Sequence, residues 1–208
     1  APGSVRLMAI SKFHPAESVL EALASGQTLF GENRVQEACS KFVPILERFP
    51  AAELHLVGSL QSNKIRQIVP VVSCIQSIDR ADILNEINSR AQAAGKEIKL
   101  LFEFHTGEES KAGFPDEDSV FRAIDALDGL NKICLSGFMT MAPFTPDEGE
   151  VRSSFRRLAA LRDECARRYP GLDLSTLSMG MSSDFRLAIE EGSTLVRIGT
   201  AIFGERTT

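Results

Sequence analysis

The chain has 208 residues, with 23 basic against 28 acidic side chains and a formal net charge of −5. That length suits one sizeable domain or two small ones, and a pI near 5.3 lacks the basic stripe that nucleic-acid phosphates require. Hydrophobic residues make up 43% and charged ones 25%, a globular balance that argues against disorder. No window nears the roughly 18 uninterrupted apolar residues of a membrane span, and the opening residues Ala1–Arg6 show no signal-peptide pattern. Cys39, Cys74, Cys134 and Cys165 are scattered without CxxC spacing, so neither a zinc site nor a disulfide framework is expected. The expected setting is a reduced, cytoplasmic one, without membrane or nucleic-acid partners.

Short apolar runs alternate with helical patterns along the chain. The first run, Val5–Ser11, leads to a helix opening at Pro15, where proline suits a first helical position, and closing near Gly26. Thr28–Glu32 precedes a helix from Arg34, and Glu53–Gly58 precedes one from Ser62. Cys74–Ile78 is followed by helical spacing from Arg80 to a cap at Gly95. Ile98–His105 is followed by a helix from Asp116. Ile133–Met139 leads to the clearest amphipathic pattern, Asp147–Arg168, with Val151, Phe155, Leu158, Leu161 and Cys165 on one stripe. Leu174–Met179 precedes a helix from Ser183, and Leu195–Gly199 is the last run.

Eight strands joined by seven crossovers predict parallel βαβ units. Two closures are open to them, a doubly wound open sheet or a barrel, and at about 26 residues per unit they suit a single compact (β/α)8 TIM barrel, an α/β fold, over residues 1–208. A barrel wants eight outer helices. Since only residues 201–208 follow the last strand, either an eighth helix precedes Ala1 or one flank of the barrel is bare; the first is expected, and this chain is read as lacking that helix.

In a barrel, chemistry gathers at the C-terminal ends of the strands. Lys12 ends an apolar run there. Desolvation penalises an ammonium, so such a lysine is either a nucleophilic amine able to form a Schiff base or simply a side chain reaching for water. Arg197 lies between Val196 and Ile198, and a buried guanidinium requires partners, either structural or ligand. Ser178-Met179-Gly180 and Gly199-Thr200 place hydroxyls and uncluttered amides on the last two strands, the usual phosphate-binding place in this fold. The histidines His14, His55 and His105 form no triad by spacing, and no GxSxG, HExxH or P-loop motif is present. Arg156, Arg157, Arg162, Arg167 and Arg168 are interleaved with acids and read as a solvated face.

Seven segments in order carry a resemblance: Ile10–Lys12, Phe30–Glu37, Leu60–Lys64, Gly107–Lys111, Gly137–Pro143, Leu177–Phe185 and Gly192–Gly204. From Leu7 to Gly204 the sequence resembles the pyridoxal phosphate homeostasis proteins, also called proline synthetase co-transcribed homologues. The resemblance implies a single barrel like the N-terminal domain of alanine racemase, carrying pyridoxal 5′-phosphate (PLP) as a Schiff base on Lys12. It further implies Asn33 beside the pyridine ring and Arg197 facing the ring nitrogen. The implied phosphate cradle is Ser178 and Met179 with Gly199 and Thr200. Family members usually carry a helix before the first strand. Ser59 stands where many have histidine, and His105 where asparagine is common.

A guanidinium beside the ring nitrogen disfavours its protonation, which suits either a racemase or a carrier that does no chemistry. A racemase needs a second acid/base. The single tyrosine, Tyr169, falls at the end of the Asp147–Arg168 helix, at the far rim from Lys12. The expected function is therefore PLP holding in vitamin B6 homeostasis without catalysis. The alternatives are a PLP-dependent amino-acid racemase and a Schiff-base aldolase on a phosphosugar. The expected partners are PLP itself and apo PLP enzymes as acceptors, with the chain a monomer or a weak dimer. Lys64 and Lys111 are the next candidates should Lys12 not be the anchor.

Overall fold

The computed structural model describes residues 5–107 and 112–205. Among these, eight parallel strands close into a barrel in sequential order: β1 (Arg6–Ile10), β2 (Leu29–Glu32), β3 (Glu53–Leu56), β4 (Cys74–Ile78), β5 (Ile98–Glu103), β6 (Ile133–Met139), β7 (Thr176–Ser178) and β8 (Leu195–Ile198). Closure is direct, with Arg6, Leu7, Met8 and Ala9 of β1 paired to Leu195, Val196, Arg197 and Ile198 of β8. The strands read as near-continuous apolar runs because both faces are covered, one by the barrel interior and one by helices.

The helices between them are α1 (Ala16–Ala24), α2 (Val35–Arg48), a 3-10 turn (Ser62–Lys64) leading into α3 (Ile65–Ile68), α4 (Leu84–Ala93), α5 (Glu117–Asp125), α6 (Glu148–Arg168) and α7 (Phe185–Glu190). Side-chain oxygens start two of them. Asp116 accepts the Ser119 N–H at 2.7 Å, and Asp147 accepts Gly149 N–H at 2.8 Å, satisfying amide groups that lack intrahelical partners. Gly26 takes φ +92°, the left-handed turn that ends α1. The helices pack on the outer sheet face through one large apolar layer containing Phe30, Phe42, Phe102, Phe138 and Phe155, all fully buried.

Four sequence expectations are corrected. The helix predicted from Arg80 begins only at Leu84, because Arg80 is spent bracing a turn: its guanidinium donates to the Leu60 carbonyl at 2.8 Å and to Asp79 at 2.7 Å. The helix predicted from Ser62 is a 3-10 turn and one α-turn, ending just short of Pro70. Strand β7 spans three residues rather than Leu174–Met179. The last strand is not followed by irregular chain alone: α8 (Thr200–Phe203) follows it, and Phe203 stacks on His14 at 5.1 Å between ring centroids. The helix expected ahead of the first strand lies outside the described residues.

The α6 arginines are more than a solvated face. Arg156 forms a two-pronged contact with Glu191 at 2.8 Å, and Arg157 donates to the Thr106 carbonyl at 3.0 Å. Arg168 lies 4.3 Å over the Phe121 ring.

Candidate functional site

The barrel has a cavity of about 620 Å³ at the C-terminal ends of its strands, a size suited to a small molecule. Its wall takes Ile10 and Lys12 from the end of β1, Asn33 after β2, Val57 after β3, and Met139, Met141 and Phe144 from β6 and its loop. Met181, Ser182 and Ser183 come from the loop after β7, and Arg197, Gly199 and Thr200 from β8 and the start of α8. The fold therefore brings together Lys12, Asn33, Arg197, Gly199 and Thr200, five side chains or backbone groups spread over the whole sequence.

Lys12 sits two residues beyond β1 on a turn closed by the His14 N–H donating to the Ser11 carbonyl at 3.1 Å. The next residue, Phe13, has φ +67°, a left-handed conformation that costs a non-glycine residue on the order of 1 kcal/mol. Its amide donates to Glu37 Oε1 at 2.7 Å, and Arg34 lies 5.2 Å over its ring. Beneath the turn, Lys41 of α2 donates to the Ser11 carbonyl, Glu32 and Glu37 at 2.8, 2.8 and 2.9 Å. Ser11 Oγ donates to the same Glu32 oxygen at 2.7 Å. Burial pushes the Glu32 carboxyl up against the pull of Lys41 and Ser11. This buried cluster ties the Lys12 turn to α2 and over-determines a strained backbone.

Asn33 follows β2. Its Oδ1 is buried and has no hydrogen-bond partner. A buried acceptor without a donor is uncommon, and one on a cavity wall points to a ligand that supplies the donor.

Arg197 enters the cavity from below. Nη1 donates to the Ser178 carbonyl at 2.6 Å and to Ser178 Oγ at 2.8 Å, while Nη2 donates to the Thr140 carbonyl at 2.7 Å. Full burial brings the guanidinium down to about 10, against the pull of Glu103 and Asp184, so it stays charged at neutral pH.

Ser178 and Met179, expected in the cradle, do not line the cavity. Ser178 is fully buried, with its hydroxyl committed to Arg197 and, at 2.7 Å, to Gln76. Met179 is fully buried in the outer apolar layer. Gly180, at φ +97°, turns the chain so that Met181, Ser182 and Ser183 present themselves instead. A Cβ on Gly180 would lie 2.6 Å from that of Ala188, so a side chain is excluded there. The sequence points to this segment through Ser178 and Met179, and the turn at Gly180 sets the three following residues on the wall. Of the other residues named from sequence, Ser59 is exposed after β3. His105 lines a small separate pocket with Thr106 and Thr140. The Tyr169 hydroxyl is occupied by Asp125 of α5 at 3.0 Å, away from the cavity. Lys111 lies outside the described residues.

A closed parallel barrel with a lysine, an orphaned asparagine oxygen and a buried arginine at its C-terminal rim defines a class, and the chain belongs to the alanine racemase N-terminal domain family, whose model matches residues 1–207. Within it, the chain is a member of the group whose curated relatives are named pyridoxal phosphate homeostasis protein. The Vibrio alginolyticus protein is 40% identical over 99% of this chain and 88% of its own length. The human protein is 37% identical over 97% of this chain and 76% of its own length. Among solved structures, PipY of Synechococcus elongatus, with PLP bound, superposes with a TM-score of 0.91 at 38% identity, covering 98% of this chain and 94% of that one. The alanine racemase of Bacillus anthracis, at 16% identity and a TM-score of 0.74, shares the fold.

Proposed function

We propose that this protein holds pyridoxal 5′-phosphate on Lys12 and takes part in vitamin B6 homeostasis rather than in catalysis. The observation that carries the reading is the cavity wall. It joins a primary amine, a buried acceptor with no donor, a fixed guanidinium, and the Ser182, Ser183 and Thr200 hydroxyls beside Gly199. The chemistry that PLP supplies when bound is an aldehyde that condenses reversibly with a primary amine.

The residues fit that group. Lys12 offers the amine on a turn braced by Lys41 and Glu37. Asn33 Oδ1 would accept a hydrogen bond from a ring hydroxyl. Ser182, Ser183, Gly199 and Thr200 would hold the phosphate, with the early amides of α8 still lacking intrahelical acceptors. Arg197 presents a permanent charge, which opposes protonation of a basic ring nitrogen held beside it. Relatives of this chain carry the name pyridoxal phosphate homeostasis protein, and the PipY structure holds PLP.

A racemase needs a second proton donor across from the lysine. The chain's single tyrosine is hydrogen-bonded to Asp125 on α5, which favours the holding role. In the same reading the barrel acts as one domain, a monomer or weak dimer in the cytoplasm. It would pass PLP to apo enzymes and not bind nucleic acid, in keeping with its net charge of −5.

The test is incubation with PLP, borohydride reduction, intact mass and peptide mapping. One phosphopyridoxyl group on Lys12 is the expected result, and labelling spread over surface lysines would refute it. A panel of L-amino acids incubated with the loaded protein should keep its enantiomeric purity; racemisation above the rate of free PLP would reverse the assignment in favour of an enzyme.

A further inference from the structure

The barrel interior holds a polar line that the proposed function leaves unused. Gln76 of β4 and Ser178 of β7 sit on strands that are not neighbours, so the 2.7 Å bond from Ser178 Oγ to Gln76 Oε1 crosses the lumen. Gln76 Nε2 lies 2.8 Å from His55 Nδ1 on the adjacent strand β3. At the other end, Arg197 Nη1 lies 2.8 Å from Ser178 Oγ. Gln76 and Ser178 are both fully buried. His55 in turn lines a second cavity of about 610 Å³ at the opposite, N-terminal mouth of the barrel, with Arg6, Glu53, Cys74 and Lys99.

We infer that Gln76 and His55 are positioning residues for Arg197, acting through Ser178 as one oriented hydrogen-bond chain that crosses the barrel from its N-terminal mouth to the Lys12 cavity.

The direction of the chain follows from donor chemistry alone. A guanidinium only donates, so Ser178 Oγ accepts from it. The serine proton then goes to its other partner, which must be the amide oxygen of Gln76. That orients the Gln76 NH2 toward His55, so Nδ1 accepts and the imidazole proton sits on Nε2, at the N-terminal mouth. With the amide reversed, Ser178 Oγ would receive two donors. Among the described residues its hydroxyl has no further acceptor, so a buried O–H would be stranded. Each link also polarises the next, so Ser178 becomes a better acceptor for Arg197 by donating to Gln76.

Burial, with Arg6 and Lys99 adding like charge, brings the His55 imidazole down to about 3, so the ring is neutral at physiological pH. Glu53, with Oε2 3.9 Å from Nε2, faces it from the same strand. The surroundings are apolar, Met8, Ile10, Leu29 and Leu195 in one cluster and Cys74, Leu101 and Met139 in another. The one further polar contact of the Gln76 NH2 among the described residues is a weak one to Met8 Sδ at 3.8 Å, which also requires the nitrogen on that side. The guanidinium is therefore held both by the Ser178 and Thr140 carbonyls and by a chain anchored at the opposite end of the barrel. The geometry of the chain stands by itself, while its consequence for a bound cofactor rests on the function proposed above.

The test uses the full chain, 15N-labelled, first without PLP. Long-range proton–nitrogen correlation should show His55 as the Nε2–H tautomer, and the Arg197 guanidinium should give sharp, slowly exchanging signals. Gln76→Met keeps length and removes the hydrogen bonds to Ser178 and His55, along with the weak one to Met8. It should broaden the Arg197 signals, release the tautomer preference of His55 and weaken PLP binding about tenfold, with the adduct still on Lys12. Gln76→Glu keeps the acceptor for Ser178 but has no N–H for His55. It should leave the Arg197 signals sharp and move a proton onto Nδ1, which a merely structural role would not do.

An Nδ1–H tautomer in the unmodified protein would overturn the orientation, and this measurement needs no variant to fold. Unchanged Arg197 signals and PLP affinity in Gln76→Met would overturn the positioning role. The PLP-free signals decide the chain even if Lys12 takes no PLP, so the two readings fail separately.

Discussion

Gly58 and Asn33 are in backbone contact so close that a Cβ on Gly58 would lie 2.1 Å from the Asn33 carbonyl oxygen. Neither residue is on a strand: Gly58 lies just past β3 and Asn33 just past β2. The first rim loops thus interlock without a side chain between them, and the position of the orphaned Asn33 oxygen depends on that absence.

Gly58→Ala should therefore push the loop after β2 outward and disturb the cavity although it removes no polar group. Overpacking of this kind costs about 1–3 kcal/mol, a fall in Tm of several degrees for a chain of this size. PLP affinity should fall with it. Titration of PLP absorbance alongside thermal melts checks both, and wild-type affinity would show that the loop yields freely.

Lys12→Ala should abolish the borohydride-fixed adduct while changing stability by less than about 1 kcal/mol, because the half-exposed side chain is not part of the apolar layers. Intact mass and a urea unfolding curve are the measurements. An adduct persisting at one site would transfer the anchor to Lys64 or Lys111.

Lys41→Met separates the brace from the anchor. The variant removes a buried ammonium that donates to Glu32 Oε1, Glu37 Oε1 and the Ser11 carbonyl and leaves the Glu32 carboxylate, whose Oε2 already has no partner, without its cation. Breaking a buried pair in this way costs about 3–5 kcal/mol. Urea unfolding should register that loss, and a change below 1 kcal/mol would mean that the cluster contributes little to the turn.

His55 makes the fold sensitive to acid. Its folded value of about 3 lies below the unfolded value of 6.5, so the unfolded chain takes up a proton first. The stability held above pH 6.5 should thus decline as pH falls from 6.5 toward 3, at up to about 1.4 kcal/mol per pH unit from this group. His55→Asn keeps an acceptor for Gln76 and cannot titrate, so its stability curve should be flatter between pH 6 and 4.5. Parallel curves for the two proteins would place the acid sensitivity elsewhere.

Much of the barrel was legible in the residues. Pro15, Gly26, Asp116 and Asp147 punctuate the helices where the structure begins and ends them, and the ends of the apolar runs coincide with those of the strands to within two residues throughout, although that trims β7 to half of its expected length. Lys12 and Arg197 were singled out because each breaks an apolar run at a strand end, and Gly199-Thr200 because the last two strands of this fold customarily meet phosphate. The three-residue β7, the 3-10 turn at Ser62 and the late start of α4 were not legible. Strand length depends on how far the neighbouring ladder extends, and the Arg80 turn depends on a carbonyl twenty residues away.

Local pattern thus determined the class of fold, the polarity of the barrel and the residue types available to a phosphorylated aldehyde. It could do so because period, caps and strand-end chemistry involve residues close along the chain. Which hydroxyls reach the cavity was decided by the turn at Gly180 against Ala188. Which groups hold Arg197 was decided by closure of the sheet, which sets Gln76 of β4 opposite Ser178 of β7. Contacts across a lumen link residues about a hundred positions apart, and no spacing along one strand encodes them; they exist only once all eight strands have closed the barrel.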